Sequence, residues 1–270
     1  MNMTMNRPRI SVVTIVRNAP KDLSLTLASV RSQIILPFEH VIIDGLSSDE
    51  TTEIGQEYQN AYPTFVKFLS EKDDGISDAL NKGRRIASGE YVIFLNAGDV
   101  IYNADTLSHI IQAIGRAPVG AVIYGEAQLC YPGFVSKMSK VRHEYLDSVF
   151  GFFNPLCHQA TVVSKALLAN HPFRTDLRYS MDLELWLHLL NQKTPFFHDS
   201  FIYCSYQIGG ISSNPKNIPA LIDEHLRVYV ESGRGYKIIS ANAVRLRISL
   251  ERIGGIPFQR ILSWYRKRRL

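Results

Sequence analysis

The sequence predicts an α/β protein built on a mostly parallel sheet. Three observations carry that expectation. Short apolar runs with strong strand preference recur through residues 7–126, and each connection between them is too long for a hairpin, so successive strands should lie parallel. These runs, such as Tyr91–Leu95, lack the alternation of a half-exposed strand, which suits strands covered on both faces. Several stop on a small or polar turn that carries an acid: Asp44, Asp73 with Asp74, and Asp99.

Taken in order, Ile10–Val16 is the first strand and ends at Arg17-Asn18. Pro20 suits a helix start, where its missing N–H would be unpaired anyway. Leu23, Leu27, Val30 and Ile34 then recur at helical spacing and predict one buried face. His40–Asp44 is the second strand, and Ser48 or Asp49 is the expected cap of a helix carrying Ile54 and Tyr58. Phe65–Leu69 is a third strand, Ile76–Ala87 a helix stopped by Ser88-Gly89, and Tyr91–Leu95 a fourth strand ending in Asn96-Ala97-Gly98-Asp99. Ala104–Ile114 reads as helix and Ala121–Tyr124 as a fifth strand.

The second half is less regular. Residues 131–158 are rich in Gly, Pro and aromatics, with no sustained period. Met181–Leu190 is a short helix with Leu183, Trp186, Leu187 and Leu190 facing inward, and Phe196–Tyr206 is one or two strands. From Ile218 onward the pattern is helical, broken at Gly233–Gly235 and Gly254–Pro257. The expected organisation is therefore an α/β ligand-binding half (1–126), a second half of the same domain (127–215), and a helical extension (216–270).

With 270 residues, 46% of them hydrophobic and 20% charged, the chain can bury a substantial core. No stretch approaches the roughly 18 uninterrupted apolar residues of a membrane span. The opening MNMTMNRPRI has no apolar core of a secretory signal, and the three cysteines form no framework, so a cytoplasmic setting is expected. The net charge of +5 is uneven: Arg266, Lys267, Arg268 and Arg269 crowd the end, after Ile261, Leu262, Trp264 and Tyr265. That mixture suits a helix lying peripherally on an anionic membrane face. Nucleic-acid-binding motifs are absent, so no nucleic-acid partner is expected.

In a parallel sheet the acids at strand ends share one edge, where open α/β sheets bind ligands. Any one of them could simply form a turn. Together they would repel unless a cation joins them, and a hard divalent ion with a substrate diphosphate resolves that. On this reasoning Asp99 is the candidate metal ligand. There is no GxGxxG after the first strand and no GxxxxGK[ST] anywhere. The loop Val16-Arg17-Asn18-Ala19-Pro20 also lacks the glycine-rich basic grip that a nucleotidyltransferase needs.

The segments SVVTIVRN (11–18), SVRSQ (29–33), HVIIDGLSSDET (40–51), SEKDDGISDALNKG (70–83), SGEYVIFLNAGD (88–99) and CHQ (157–159) occur in this order. In that order they resemble family 2 glycosyltransferases, inverting enzymes of the GT-A fold, and above all the bacterial branch that builds surface polysaccharides. The resemblance implies a Rossmann-like sheet flanked by helices, a less regular acceptor half, and a UDP- or GDP-linked sugar donor. It implies a saccharide or lipid-linked acceptor and Mg²⁺ or Mn²⁺ as cofactor. It implies that Thr14, Asp44, Asp73, Asp78, Asn81 and Asn96 contact the nucleotide sugar, that Asp99 and His158 hold the metal, and that Asp182 is the general base. The sequence departs from the family's acidic element, which reads Asn96-Ala97-Gly98-Asp99 here. A non-catalytic sugar-nucleotide-binding protein and, more remotely, a sugar nucleotidyltransferase are the competing readings.

Overall fold

A computed structural model of the chain describes residues 7–131, 134–137 and 154–233. The first half contains β1 (Ile10–Val16), α1 (Pro20–Arg31), β2 (Glu39–Asp44), α2 (Thr51–Ala61), β3 (Val66–Ser70), α3 (Ile76–Ile86) and β4 (Tyr91–Phe94). It continues with β5 (Val100–Ile101), α4 (Thr106–Arg116), β6 (Val122–Tyr131) and β7 (Phe134–Lys137). A single 3-10 turn, His158–Ala160, leads into β8 (Thr161–Ser164), α5 (Lys165–Asn170), α6 (Met181–Asn191), β9 (Phe196–Gln207) and α7 (Ile218–Glu231).

The strands form one sheet in the order β3-β2-β1-β4-β8-β6-β9-β5, with β7 paired to β6. β1 lies parallel to β2 and β4, and β2 parallel to β3, as the crossovers require. The fifth predicted strand does not join β4 directly. β8, from the second half, inserts between β4 and β6 and is antiparallel to both, so β4 and β6 still point the same way. The expected boundary after residue 126 falls inside β6, and the sheet is continuous across it.

Alternation along the strands buries both faces. Val13, Ile15, Val41 and Ile43 pack with α3, α6 and α7, through Leu80, Trp186 and Tyr229 among others. On the other face Val16 and Ile42 meet Leu23 and Leu27 of α1, and Ile93 and Ile123 meet Leu107 and Ile110 of α4. α6 is buried nearly all round, including Leu185 and Leu189 as well as the predicted inner residues, with Leu190 only partly covered.

Two local expectations change. α1 stops at Arg31, so Ile34 lies past the helix and is 74% exposed instead of completing its buried face. α2 starts after Glu50 without a side-chain cap, because the Asp49 carboxylate accepts from Thr51 N–H and Ser48 is turned to Asn18. The predicted break at Gly254–Pro257 and the basic tail lie outside the described residues.

Chain order also fixes the binding edge. From β1 the chain steps outward to β2 and β3, and then returns to place β4 on the other side of β1. The crevice at the C-terminal ends of β1 and β4 is therefore a topological switch point, the usual ligand position in open α/β sheets.

Candidate active site

The end of β2 is built by hydroxyl groups. Asp44 is fully buried, and its carboxylate accepts from the Ser47 N–H and hydroxyl, the Thr52 hydroxyl at 2.8 Å and the Ser70 hydroxyl at 2.6 Å. Those donors occupy the roughly four acceptor positions of a carboxylate. The Ser47 hydroxyl also accepts from Asn18 N–H at 2.8 Å, and Asn18 Oδ1 accepts from Ser48 N–H at 2.9 Å. The loops after β1 and β2 are thus locked together. Between them lies Gly45, where a Cβ would sit 2.2 Å from Asp73 Oδ2 and 3.3 Å from Arg17 Cδ. The absence of a side chain there lets the three strand ends converge. Leu46, the next residue, has φ +57 and is 57% exposed. The left-handed region costs an L-residue about 1–2 kcal/mol.

The end of β4 is built by long-range contacts. Gly98 takes φ +94, which an L side chain rarely adopts, and its N–H donates to Asp22 O and Thr26 Oγ1 of α1. Thr26 in turn donates to Asp99 O at 2.8 Å. The turn faces Asp99 inward, leaving it 4% exposed. Its Oδ2 accepts from Gln159 Nε2 at 2.7 Å, and the Gln207 backbone N–H donates as well. Burial raises the carboxyl pKa to about 6, against the lowering pull of Gln159 and His158.

His158 connects that end to α6. Its Nε2 lies 3.1 Å from Asn96 Nδ2, and its Nδ1 lies 3.8 Å from Asp182 Oδ2. Asp182, in the first turn of α6, also accepts from Asn154 Nδ2 and Leu183 N–H, both at 2.8 Å. Burial opposes charge on both partners, yet their attraction wins: the Asp182 pKa is lowered and the His158 pKa raised. Asp182 is therefore an ionised acceptor with its side chain 18% exposed. Its helix is fixed from behind by Glu224 of α7, whose carboxylate accepts the N–H groups of Arg178, Tyr179 and Ser180.

Other expected ligand contacts are occupied internally. Thr14 is fully buried and its hydroxyl pairs with His40 Nε2 at 2.9 Å, which sets it behind the edge and not on a pocket wall. Asn81 donates to Phe173 O at 2.7 Å and accepts from Phe173 N–H at 3.0 Å, so it clamps α3 to the segment before α6 instead of facing the edge. Asp78 pairs with Lys82 at 3.2 Å and accepts from Asp74 N–H; these contacts lower its pKa although burial raises it. Asp73 accepts from Gly75 N–H at 3.1 Å and remains partly exposed beside Gly45.

The metal expectation meets a partial fit. Among the described residues, no three His, Cys, Asp or Glu side chains come together as a metal cluster. Asn96 Oδ1 is a buried oxygen without a hydrogen-bond partner, an acceptor suited to a hard cation, and Asp99 is the carboxylate in the same turn. His158, by contrast, has both nitrogens directed at Asn96 and Asp182. A cation held by Asn96 and Asp99 would take most of its ligands from a substrate diphosphate. Sequence reasoning passed over Gln159, Thr26, Asn154 and Glu224. Only Gln159 carried a signal, as the third residue of CHQ.

Comparison with known proteins agrees with this architecture. Residues 11–146 match the family model described as Glycosyl transferase family 2. A "PGL/p-HBAD biosynthesis glycosyltransferase" of Mycobacterium bovis is 24% identical over 98% of this chain and 100% of its own length. A Staphylococcus aureus TarS fragment crystallised with UDP superposes with a TM-score of 0.64 at 20% identity, covering 87% of this chain and 68% of the other. The mannosyltransferase PcManGT of Pyrobaculum calidifontis, solved with GDP-Man and Mn²⁺, superposes with a TM-score of 0.61 at 16% identity, covering 97% of this chain and 81% of the other.

Proposed function

The chain belongs to glycosyl transferase family 2, and on that premise we propose that it transfers a sugar from a nucleotide-diphosphate donor to an acceptor hydroxyl with inversion at the anomeric carbon. The observation that carries this reading is the Asn96–His158–Asp182 chain, which holds an ionised carboxylate of α6 beside the end of β4. An acceptor hydroxyl is a poor nucleophile, and a carboxylate that takes its proton as the new bond forms typically contributes about 10²–10⁴-fold. Asp182 has that position. His158 stabilises its charge before the reaction, and Asn154 holds the carboxylate oriented.

The donor lies along the switch-point edge, with its diphosphate toward Asn96–Asp99 and its nucleoside toward β1 and β2. Asn96 Oδ1 and Asp99 would hold a divalent ion there, and Mg²⁺ or Mn²⁺ so bound supplies positive charge to the departing diphosphate. Neighbouring structures solved with UDP and with GDP-Man support a UDP- or GDP-linked donor. The acceptor is a saccharide or lipid-linked saccharide of bacterial surface polysaccharide assembly, reached at the cytoplasmic face of the membrane. No helix among the described residues is long and apolar enough to cross a membrane, so contact with lipid would be peripheral, through the basic tail of residues 256–270.

The test is nucleotide release from a panel of UDP- and GDP-sugars, with Mn²⁺ or with EDTA. Metal-dependent release from one donor class supports the reading. Tight nucleotide binding without release or transfer from any donor would leave a non-catalytic binding protein. Flotation with anionic liposomes, with and without residues 256–270, tests the membrane contact; equal flotation removes it.

A further inference from the structure

We propose that Glu224 is the positioning residue of the general base: from α7 it fixes the backbone that carries Asp182 into α6, a role that rests on the base reading above. The start of α6 lacks the ordinary device. Ser180 is the N-cap, yet among the described residues no side chain caps the helix, and the Ser180 hydroxyl pairs instead with His225 Nδ1 of α7 at 2.8 Å. Three consecutive N–H groups just before α6 converge on one carboxylate of α7. Glu224 Oε1 accepts from Arg178 N–H at 2.8 Å, and Oε2 accepts from Tyr179 N–H at 2.7 Å and Ser180 N–H at 3.1 Å. Successive N–H groups turned to one point form a concavity for an anion, and here the chain supplies the anion itself. Hydrogen bonds to a carboxylate are roughly twice as strong as those between neutral groups.

Other contacts between α7 and this segment weigh less. Arg227 reaches Asp176 Oδ2 at 2.8 Å, but both side chains are exposed, and exposed pairs contribute little. Glu224 is partly buried, and Ser180, whose N–H it holds, is fully buried. Ser180 O accepts Glu184 N–H at 3.0 Å, so the residue that Glu224 anchors also sets where α6 begins. Asp182 lies in the first turn that follows. Its partner His158 comes from a different element, the 3-10 turn before β8, and 3.8 Å separates His158 Nδ1 from Asp182 Oδ2. A shift at the start of α6 therefore changes that separation directly. A misplacement of about 1 Å can cost on the order of 10²-fold in rate, even when the altered residue lies far from the chemistry. The bonds of Glu224 go to backbone N–H groups, so its effect reaches the reaction through Asp182.

The test is nucleotide release from the panel of UDP- and GDP-sugars with Mn²⁺, by wild type, Glu224→Ala, Glu224→Gln, Arg227→Ala, Asp182→Asn and the double variant Glu224→Ala/Asp182→Asn. In Glu224→Ala, kcat should fall about 10- to 100-fold while the donor KM stays within about threefold, since the donor site is untouched. Glu224→Gln keeps an oxygen toward the N–H groups and should recover part of that loss. Arg227→Ala removes a neighbouring tie of the same helix and should stay within about twofold of wild type. The double variant separates positioning from general support. With Asp182 already disabled, removing Glu224 should change the residual rate by less than about twofold. Wild-type kcat in Glu224→Ala overturns the proposal. So does an equal loss in Arg227→Ala, or a further loss of about tenfold in the double variant, either of which marks a general loosening of the fold. If Glu224→Ala does not fold, Glu224→Gln carries the same comparison, alone and with Asp182→Asn. Wild-type turnover in Asp182→Asn overturns the base reading itself, and release from no donor by the wild type overturns the donor reading; the positioning role falls with either.

Discussion

The ends of β2 and β4 each present a buried aspartate at one sheet edge, but they are built in opposite ways. Asp44 is held by hydroxyls from its own loop, the start of α2 and the adjacent β3 end, all within 26 residues of it. Asp99 is held by Gln159, 60 residues on, and by Gln207, and its burial outweighs these bonds enough to raise its pKa. The first carboxylate is stabilised where it stands. The second is held ionised in a place that disfavours charge, which is where positive charge from a ligand or ion would be most welcome. The difference separates a carboxylate whose acceptor positions are filled by its neighbours from one whose burial disfavours its charge.

The largest expected effect lies across from Asp99, at its counterpart on α6. Asp182→Asn should reduce transfer by about 10²–10⁴-fold while nucleotide affinity persists, measured by turnover and titration in parallel. Wild-type turnover would remove Asp182 as the base. Asp99→Asn and Asp44→Asn then test the comparison through stability. An unfolded aspartate has a pKa of about 3.9, and Asp99 in the fold is near 6. The folded state thus binds the proton more tightly, so stability falls as pH rises between those values and stays low above them. In EDTA at pH 7, Asp99→Asn should therefore gain about 2–3 kcal/mol in denaturant unfolding, a gain that fades toward pH 4. Transfer should nevertheless collapse. Asp44→Asn should lose about 2–3 kcal/mol, because charge-assisted bonds from three hydroxyl groups are weakened at once. The same change of sign in both variants would erase the distinction. A smaller loss, about 1–2 kcal/mol with turnover retained within about threefold, is expected for Asn81→Ala, which breaks the clamp on Phe173 without touching the edge.

Much of this was legible from sequence. The order of strands and helices through β4, and the shared edge of Asp44, Asp73 and Asp99, follow from apolar runs and their crossovers, because period and connection length are local properties; the two-residue β5 that precedes α4 was not read. The strand β8 was not legible: Thr161–Ser164 is short, and only pairing with β4 and β6 makes it a strand. Ile34 shows the reverse failure, since a helical spacing continued on paper past a helix that had ended at Arg31. Thr14 and Asn81 carry residue types suited to ligand contact, but His40 and Phe173 occupy them.

By itself the sequence determined the parallel half-sheet, the edge on which acids gather, and the candidate roles of Asp99 and Asp182. Tertiary structure decided which of those acids are internally satisfied. Hydrogen-bond partners distant in the chain, such as Gln159 for Asp99 and Asn154 and His158 for Asp182, become neighbours only when β8 and α6 dock beside β4. A carboxylate's charge state depends on desolvation and on those neighbours, and neither is written in the residues next to it.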